Sequence, residues 1–344
     1  MDTTAKPSFF PRLLKKASLA YLALLFIWFL LYLIFGDGFG YLGLANALAV
    51  NFFFPLPIAL LAAWASRDSR LLAVSLLAAG IFVWLWGPLF WPPGGGEADG
   101  RFLRVMTVNV LGKGGQADSV LASIRVAEAD LVFVQEFTPD LASSLSLDLK
   151  EDLPYQVLSP GYGSDGLAVF SRYPIERLDV VLQGSWRGDP QVLRMDWEGR
   201  AVTLVNFHTI STGGIWPRWV RYTSRERLET LTSLADFAAG EVGPVIVAGD
   251  ANTTRLNEPY KMLDVVLDDA WWVAGWGLGH TFPGQLDPDD WFTQVSFFLI
   301  PHWLVRIDHI FYSAHFQASR AELADFNGGS DHRGLVADLV WLGN

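Results

Sequence analysis

The chain contains no cysteine. That absence removes disulfides, thiolate nucleophiles and cysteine-ligated zinc or iron–sulfur centres, and it leaves the compartment open. Basic charge is scarce in the larger part of the chain. Residues 1–100 hold six basic and five acidic residues, a net of +1, whereas residues 101–344 hold 19 basic and 31 acidic, a net of −12. So acidic a region is poorly suited to non-specific nucleic-acid binding, which draws its affinity from neutralised phosphates.

Charge of either sign is missing from long stretches near the N-terminus. The mean hydropathy of +0.27 and the 51% hydrophobic content are high for a wholly soluble protein. The excess is concentrated in the first ninety residues. A basic head with Lys6, Arg12, Lys15 and Lys16 precedes an apolar run over 17–35. A second run covers 39–65 and contains Pro55 and Pro57; a third covers 71–91 and ends among Trp84, Trp86, Phe90 and Trp91. Each is about long enough to cross a bilayer as a helix. The prolines predict a kink in the second, and the terminal aromatics suit an interfacial belt. A cleavable leader is disfavoured because no small-residue cleavage site follows the first run.

Loop charges predict topology. The basic head and Arg67 with Arg70 belong on the cytoplasmic side, and the loop at 36–40, without Lys or Arg, belongs outside. Three crossings then carry everything after Trp91 to the extracytoplasmic side of the cell membrane. A re-entrant second run would invert that answer. Residues 92–100, PPGGGEADG, read as a linker, and 101–344 as a separate domain.

Within 101–344 apolar strands alternate with a few helices. Strands are expected at 102–110, 131–134, 166–171, 192–197, 201–208, 245–248, 306–312 and 335–341. Helices are expected at 117–129 and 219–239. Glu198-Gly199 reads as a hairpin turn. Paired strands with interleaved helices point to a layered α/β sandwich with mixed sheets.

Polar residues recur where these strands end: Asn109, Glu136, His208, Asp250, Asn252, Asp308, Asp331 and His332. Taken singly, each reads as a turn residue or a structural histidine. Together they form a set of carboxylates, amides and imidazoles without a thiol or an activated-serine motif. Oxygen donors favour Mg²⁺ or Mn²⁺ over zinc, and such a set suits attack of water on a phosphoester.

Seven stretches, in order, resemble the endonuclease/exonuclease/phosphatase superfamily: Thr107-Val108-Asn109-Val110, Val134-Gln135-Glu136, Ser171-Arg172-Tyr173-Pro174-Ile175, Val205-Asn206-Phe207-His208, Gly249-Asp250-Ala251-Asn252, Arg306-Ile307-Asp308-His309-Ile310-Phe311 and Ser330-Asp331-His332-Arg333-Gly334. The resemblance implies a four-layered, DNase I-like α/β sandwich behind N-terminal transmembrane helices. It implies that Glu136, with Asn109 and Asp331, holds a divalent metal. It implies that Asp250 activates water and that Asn252 and His208 bind phosphate oxygens. His332, oriented by Asp308, would handle the proton.

The layout is similar to a membrane-anchored bacterial branch associated with glycopeptide resistance, of teicoplanin-resistance type. That resemblance implies a lipid-linked substrate such as undecaprenyl pyrophosphate. The competing readings are a membrane-anchored phosphodiesterase, either a nuclease or a sphingomyelinase/phospholipase C-like enzyme, and a non-enzymatic membrane scaffold. Thr281-Phe282-Pro283 resembles a substrate-side loop. His280, His302, His309 and His315 read as structural, and Arg172 and Arg225 as salt-bridged. An aromatic stretch from Trp271 to Trp303 offers either a lipid-chain surface or buried core.

Overall fold

A computed structural model describes residues 9–39, 41–91, 101–112, 117–213, 216–284, 303–324 and 330–343. The chain divides into two compact units, Met1–Phe90 and Trp91–Asn344. The stretch read as a linker, 92–100, lies outside the described residues.

The first unit is helical. Helix α1 (Phe9–Phe35) begins before the apolar run and carries the basic residues of its first turns. The second run is broken into α2 (Leu42–Ala47), a 3₁₀ turn (Ala49–Phe53) and α3 (Leu56–Ser66). Pro55 is the N-cap of α3 and Pro57 lies in its first turn, where a missing N–H costs least. The expected kink is therefore a full break. Helix α4 (Ser69–Trp86) is capped by Asp68, whose side chain accepts from the backbone N–H groups of Arg70 and Leu71. Arg12–Phe35, Ala49–Ser66 and Ser69–Phe90 are three helical segments long and apolar enough to cross a membrane. Trp28 donates to Asn46 Oδ1 at 3.1 Å and meets the Phe52 ring edge-on at 5.5 Å.

The second unit is built on two six-stranded sheets. In order, the first contains β11 (Phe316–Leu323), β12 (Leu335–Trp341), β1 (Phe102–Asn109), β2 (Leu131–Gln135), β4 (Leu167–Ser171) and β3 (Tyr155–Ser159). The other contains β5 (Ile175–Arg177), β6 (Gln191–Trp197), β7 (Arg200–His208), β8 (Val245–Asp250), β10 (Asp308–Tyr312) and β9 (Asp268–Asp269). Each sheet has one parallel pair, β1 with β2 and β7 with β8, and every other pairing is antiparallel. Each parallel pair is joined through a helix, α5 (Ala117–Ala127) in one case and α7 (Pro217–Gly240) in the other, as parallel pairing requires. Helices α6 (Pro139–Asp148), α8 (Glu258–Asp264) and α9 (Ala270–Ala274) complete the unit. The Glu198-Gly199 hairpin forms with both residues at positive φ, 56° and 82°.

Side-chain parity explains the layers. Met106, Val108, Val132 and Val134 pack with Val120, Ile124, Leu141 and Leu145 of α5 and α6. Val205, Phe207, Val245 and Val247 pack with Leu231, Leu234, Ala235 and Tyr260 of α7 and α8. The alternate residues of the same strands turn to the opposite faces. The result is helix, sheet, sheet, helix: the four-layered DNase I-like sandwich. Thr107, Asn109, Gln135, Asn206, His208 and Asp250 all have the opposite parity to the helix-packed residues.

There, polar groups lock the sheets together. Gln135 Nε2 donates to Asn206 Oδ1 at 2.8 Å. The Asn206 amide lies within bonding distance of Val134 O, Ala168 O and Gln191 Oε1 at 3.2, 3.0 and 3.0 Å. Removing one buried partner strands the others, at about 1–3 kcal/mol per orphaned group. Asn206→Leu is therefore expected to destabilise the protein by about 3 kcal/mol, measured by urea unfolding of the detergent-solubilised chain followed by near-UV circular dichroism. An unchanged midpoint would rule out a structural role for the network.

Candidate active site

The sheets deliver their polar residues to one place. Asn109 ends β1, Glu136 follows β2, and His208 and Asp250 end β7 and β8 as register partners. Asp308 opens the antiparallel β10 opposite Asp250, so His208, Asp250 and Asp308 form one row across three strands. Gly249 makes this possible, because a Cβ there would lie 1.9 Å from the Phe207 carbonyl oxygen of β7.

Asp250 joins the two sheets. Its Oδ2 accepts from Asn109 Nδ2 at 3.1 Å and lies 3.4 Å from His208 Nε2, while its Oδ1 accepts from the Asn252 N–H at 2.8 Å. His208 Nδ1 lies 3.2 Å from the Ser164 carbonyl, which can only accept, so Nδ1 carries a proton; a proton on Nε2 as well makes that nitrogen a donor towards the site. Burial alone would raise the Asp250 carboxyl. The His208 hydrogen bond, the positive field of His332 and the Asn252 N–H outweigh it and hold the pKa near about 2. Asp250 is ionised at neutral pH.

His332 stands across from it. Nδ1 lies 2.9 Å from Asp308 Oδ2, and Nε2 lies 3.8 Å from Asp250 Oδ2 and 4.0 Å from Asp331 Oδ1. Burial opposes the imidazolium. The Asp308 charge and hydrogen bond, followed by Asp250 and Asp331, overcome that and push the pKa up to about 10. The ring is supported by Phe282, whose centroid is 4.8 Å away. Ser330 Oγ ties this loop to β1 by donating to Asn109 O at 2.7 Å, and it accepts from the His332 N–H at 3.0 Å.

Asn109, His208, Asp250, Asp308 and His332 are all buried. Glu136, Asn252 and Asp331 are partly open and form the mouth. Glu136 has φ 59° and Asn252 φ 47°, left-handed values that are strained for side chains other than glycine. Asn109 Nδ2 donates to Glu136 Oε1 at 3.1 Å. Asn252 Nδ2 donates to Thr209 O at 3.1 Å.

The donor set fits a hard divalent cation. Burial raises the Glu136 carboxyl, and the Asp250 charge adds to the effect. Burial likewise raises Asp331, helped by Asp250 and Asp308. Asp331 Oδ1 is buried and hydrogen-bonds to nothing among the described residues, as is Asp308 Oδ1. Partly desolvated carboxylates with an unused oxygen are what a cation would relieve. Asp250, Asp308 and His332 also lie within 4.8 Å of one another. Because His332 Nδ1 is committed to Asp308, this trio reads better as an oriented imidazole than as a ligand set.

All eight residues expected from the sequence lie in one connected cluster. Other residues around it were not singled out for these roles. Thr281 Oγ1 accepts from the backbone N–H of Ile307 at 3.1 Å and so fixes the approach to Asp308. Ser330 precedes the acidic–imidazole pair in the sequence, which was the available signal for it. The Ser164 carbonyl left none.

The remaining expected residues lie elsewhere. Arg172 pairs with Asp130 at 2.7 Å and Arg225 with Glu229 at 2.7 Å. His309 is buried against Asp269, which also binds Arg306 at 2.8 Å, and His315 stacks on Trp341. Of the aromatic stretch, Trp271 is buried, Trp272 lies under Arg255, Trp276 is exposed and Trp303 lies under Arg333. Trp291, Phe292, Phe297, Phe298 and His302 fall outside the described residues.

The profile of the Endonuclease/Exonuclease/phosphatase family matches residues 106–332. Among solved structures, an endonuclease/exonuclease/phosphatase from Beutenbergia cavernae is 23% identical, with a TM-score of 0.53 over 71% of this chain and 72% of that one. Beta toxin from Staphylococcus aureus is 20% identical, with a TM-score of 0.52 over 68% and 99%. Truncated TDP2 from Caenorhabditis elegans is 19% identical, with a TM-score of 0.53 over 70% and 97%. At these identities the likeness is one of fold. No curated protein matches the sequence.

A metal-binding role for Glu136 can be read without activity. Mg²⁺ or Mn²⁺ should raise the thermal midpoint of the wild type, because a ligand of the native state stabilises it. Glu136→Gly should lose that increase without being less stable in EDTA, since glycine is at ease at φ 59°. An undiminished metal response in the variant would remove Glu136 from the ligand set.

Proposed function

This chain belongs to the endonuclease/exonuclease/phosphatase family, a divalent-metal-dependent hydrolase of phosphoric esters, and we propose that it acts on a lipid-linked phosphate or pyrophosphate at the outer face of the membrane that anchors it. The observation that carries this reading is the coupling of three apolar helices to a phosphoester-type site in one chain. An enzyme held at a bilayer meets lipid substrates at high local concentration. The −12 charge of residues 101–344 disfavours nucleic acid.

The charge pattern supports the orientation. Lys15 forms an ion pair with Asp68, so the basic start of α1 and the Arg67–Arg70 loop share one end of the helical unit. That end is assigned to the cytoplasm, and the multi-pass anchor then leaves the catalytic unit outside.

In the mechanism we infer, Glu136 and Asp331, with Asn109 beside them, would hold the metal, taken as Mg²⁺ or Mn²⁺. When bound, the cation neutralises charge on the non-bridging phosphate oxygens. Asp250, ionised before the reaction, orients the attacking water in line with the leaving oxygen and becomes protonated as it takes that water's proton. Asn252 and His208 donate to phosphate oxygens. His332, kept cationic by Asp308, stabilises the developing charge and protonates the leaving group from Nε2. Glu136 and Asn109 come from one sheet and His208, Asp250 and Asp308 from the other, so the reacting phosphate sits where the two sheets converge.

The purified chain in detergent is expected to release phosphate from a polyprenyl pyrophosphate with Mg²⁺ and to lose that activity in EDTA. Asp250→Asn and His332→Ala should each lower kcat by about 10²–10⁴. Cleavage of plasmid DNA with no action on the lipid would replace this substrate by a nucleic acid. Hydrolysis of sphingomyelin-type head groups instead would favour the phosphodiesterase reading.

A further inference from the structure

Helix α7 starts on the strand-end side of the catalytic row. His208 ends β7, Thr209 accepts from Asn252 Nδ2, and Ile210 O accepts from Arg227 of α7 at 3.1 Å. Trp216 is the N-cap residue only eight positions after His208. The helix buries Val220, Thr223, Arg227, Thr230, Leu231 and Leu234 against the unit. Its N-terminal turns carry large apolar groups into solvent: Trp216 is 78% exposed, Trp219 43% and Tyr222 48%. Trp219 and Tyr222 are one turn apart and their rings are in contact, tilted by 35° with centroids at 5.5 Å. Such a cluster is more than a scattered surface hydrophobe.

The charge around these rings is unusual for this unit. From Ala201 to Arg225 there is no Asp or Glu, while Arg218 and Arg221 fall between the aromatics and Arg225 follows them. Arg225 is taken by Glu229. Arg218 and Arg221 are exposed and have no ion-pair partner among the described residues. A net charge of −12 repels an anionic surface over most of the unit. The start of α7 is a place where that repulsion reverses.

We propose that the Trp216–Tyr222 face of α7 docks on an anionic lipid bilayer, with the indoles and phenol at the headgroup level and Arg218 and Arg221 on lipid phosphates. Tryptophan and tyrosine favour that depth, and arginine near an anionic surface adds attraction. Docking through this face turns the rim next to His208 and Asn252 towards the lipid headgroups. The inference rests on the membrane-anchored reading and adds a definite contact surface to it.

The absence of cysteine allows a direct test. The full chain carrying Trp219→Cys is labelled with an environment-sensitive nitrobenzoxadiazole dye and reconstituted in phosphatidylcholine vesicles with or without phosphatidylglycerol. Val242→Cys, at the other end of α7 and 95% exposed, serves as the control. The label at 219 should shift to the blue and be quenched by nitroxide-bearing lipids when phosphatidylglycerol is present; the label at 242 should not. Adding Arg218→Gln and Arg221→Gln should weaken the engagement by roughly fivefold per arginine, and raised salt should act in the same direction. Docking is overturned if the label at 219 reports water in phosphatidylglycerol vesicles, as the label at 242 does. Lipid engagement by an enzyme that releases no phosphate from any polyprenyl substrate would leave the docking intact and sink the substrate assignment.

Discussion

One buried carboxylate, Asp250, is where the two halves of the sandwich meet. It takes a hydrogen bond from Asn109 of one sheet, approaches His208 of its own sheet, and faces His332 from the loop before the last strand. A buried anion with this many donors is held in a single position. Its negative charge also helps to keep His332 protonated and to keep Glu136 and Asp331 short of an easy ionisation. The site is thus an electrostatic compromise: two imidazoles lie against Asp250, while burial and the Asp250 charge raise Glu136 and Asp331.

The strand ends were legible because each functional residue lies at or beside one end of an apolar run. Period-two alternation then puts Asn109, His208 and Asp250 on the faces opposite the helix-packed Val108, Phe207 and Val247. Motif order supplied the fold in the same way. What was not legible depends on contacts between residues far apart in sequence. The packing of Phe282 against His332 spans fifty positions and has no local pattern. The Gln135–Asn206 lock consists of ordinary amides inside apolar strands, visible only when the two sheets face each other. Strands β3, β5 and β11 escaped because they are partly exposed and edge-placed, so their apolar signal is weak. The second apolar run was long enough for one helix, but Pro55 cannot sit inside one without loss of a hydrogen bond, and the chain breaks there.

Stability and function are separated in space. The apolar clusters beneath α5–α6 and α7–α8 lie on the outer faces of the sheets and contain no catalytic group. The inner faces carry the polar inventory, first as the amide lock and then, at the strand ends, as the reactive set. Backbone strain follows the same division: Glu136 and Asn252 hold left-handed conformations at the mouth, where the well-bonded strands behind them can sustain it.

The pairing of β12 with β1 has a consequence for biosynthesis. Phe102 meets Val340 and Thr107 meets Leu335, so the strand that closes one side of β1 is made long after β1 itself. Until it arrives, β1 has an open edge, and neither Asp331 nor His332 exists to complete the site. Native pairing over so large a separation is slow and leaves the nascent chain exposed to misassociation. Closure of the sheet and completion of the candidate site are therefore coupled. A chain that stalls before residue 330 has its helical unit but leaves the sheet unclosed and the candidate site without Asp331 and His332.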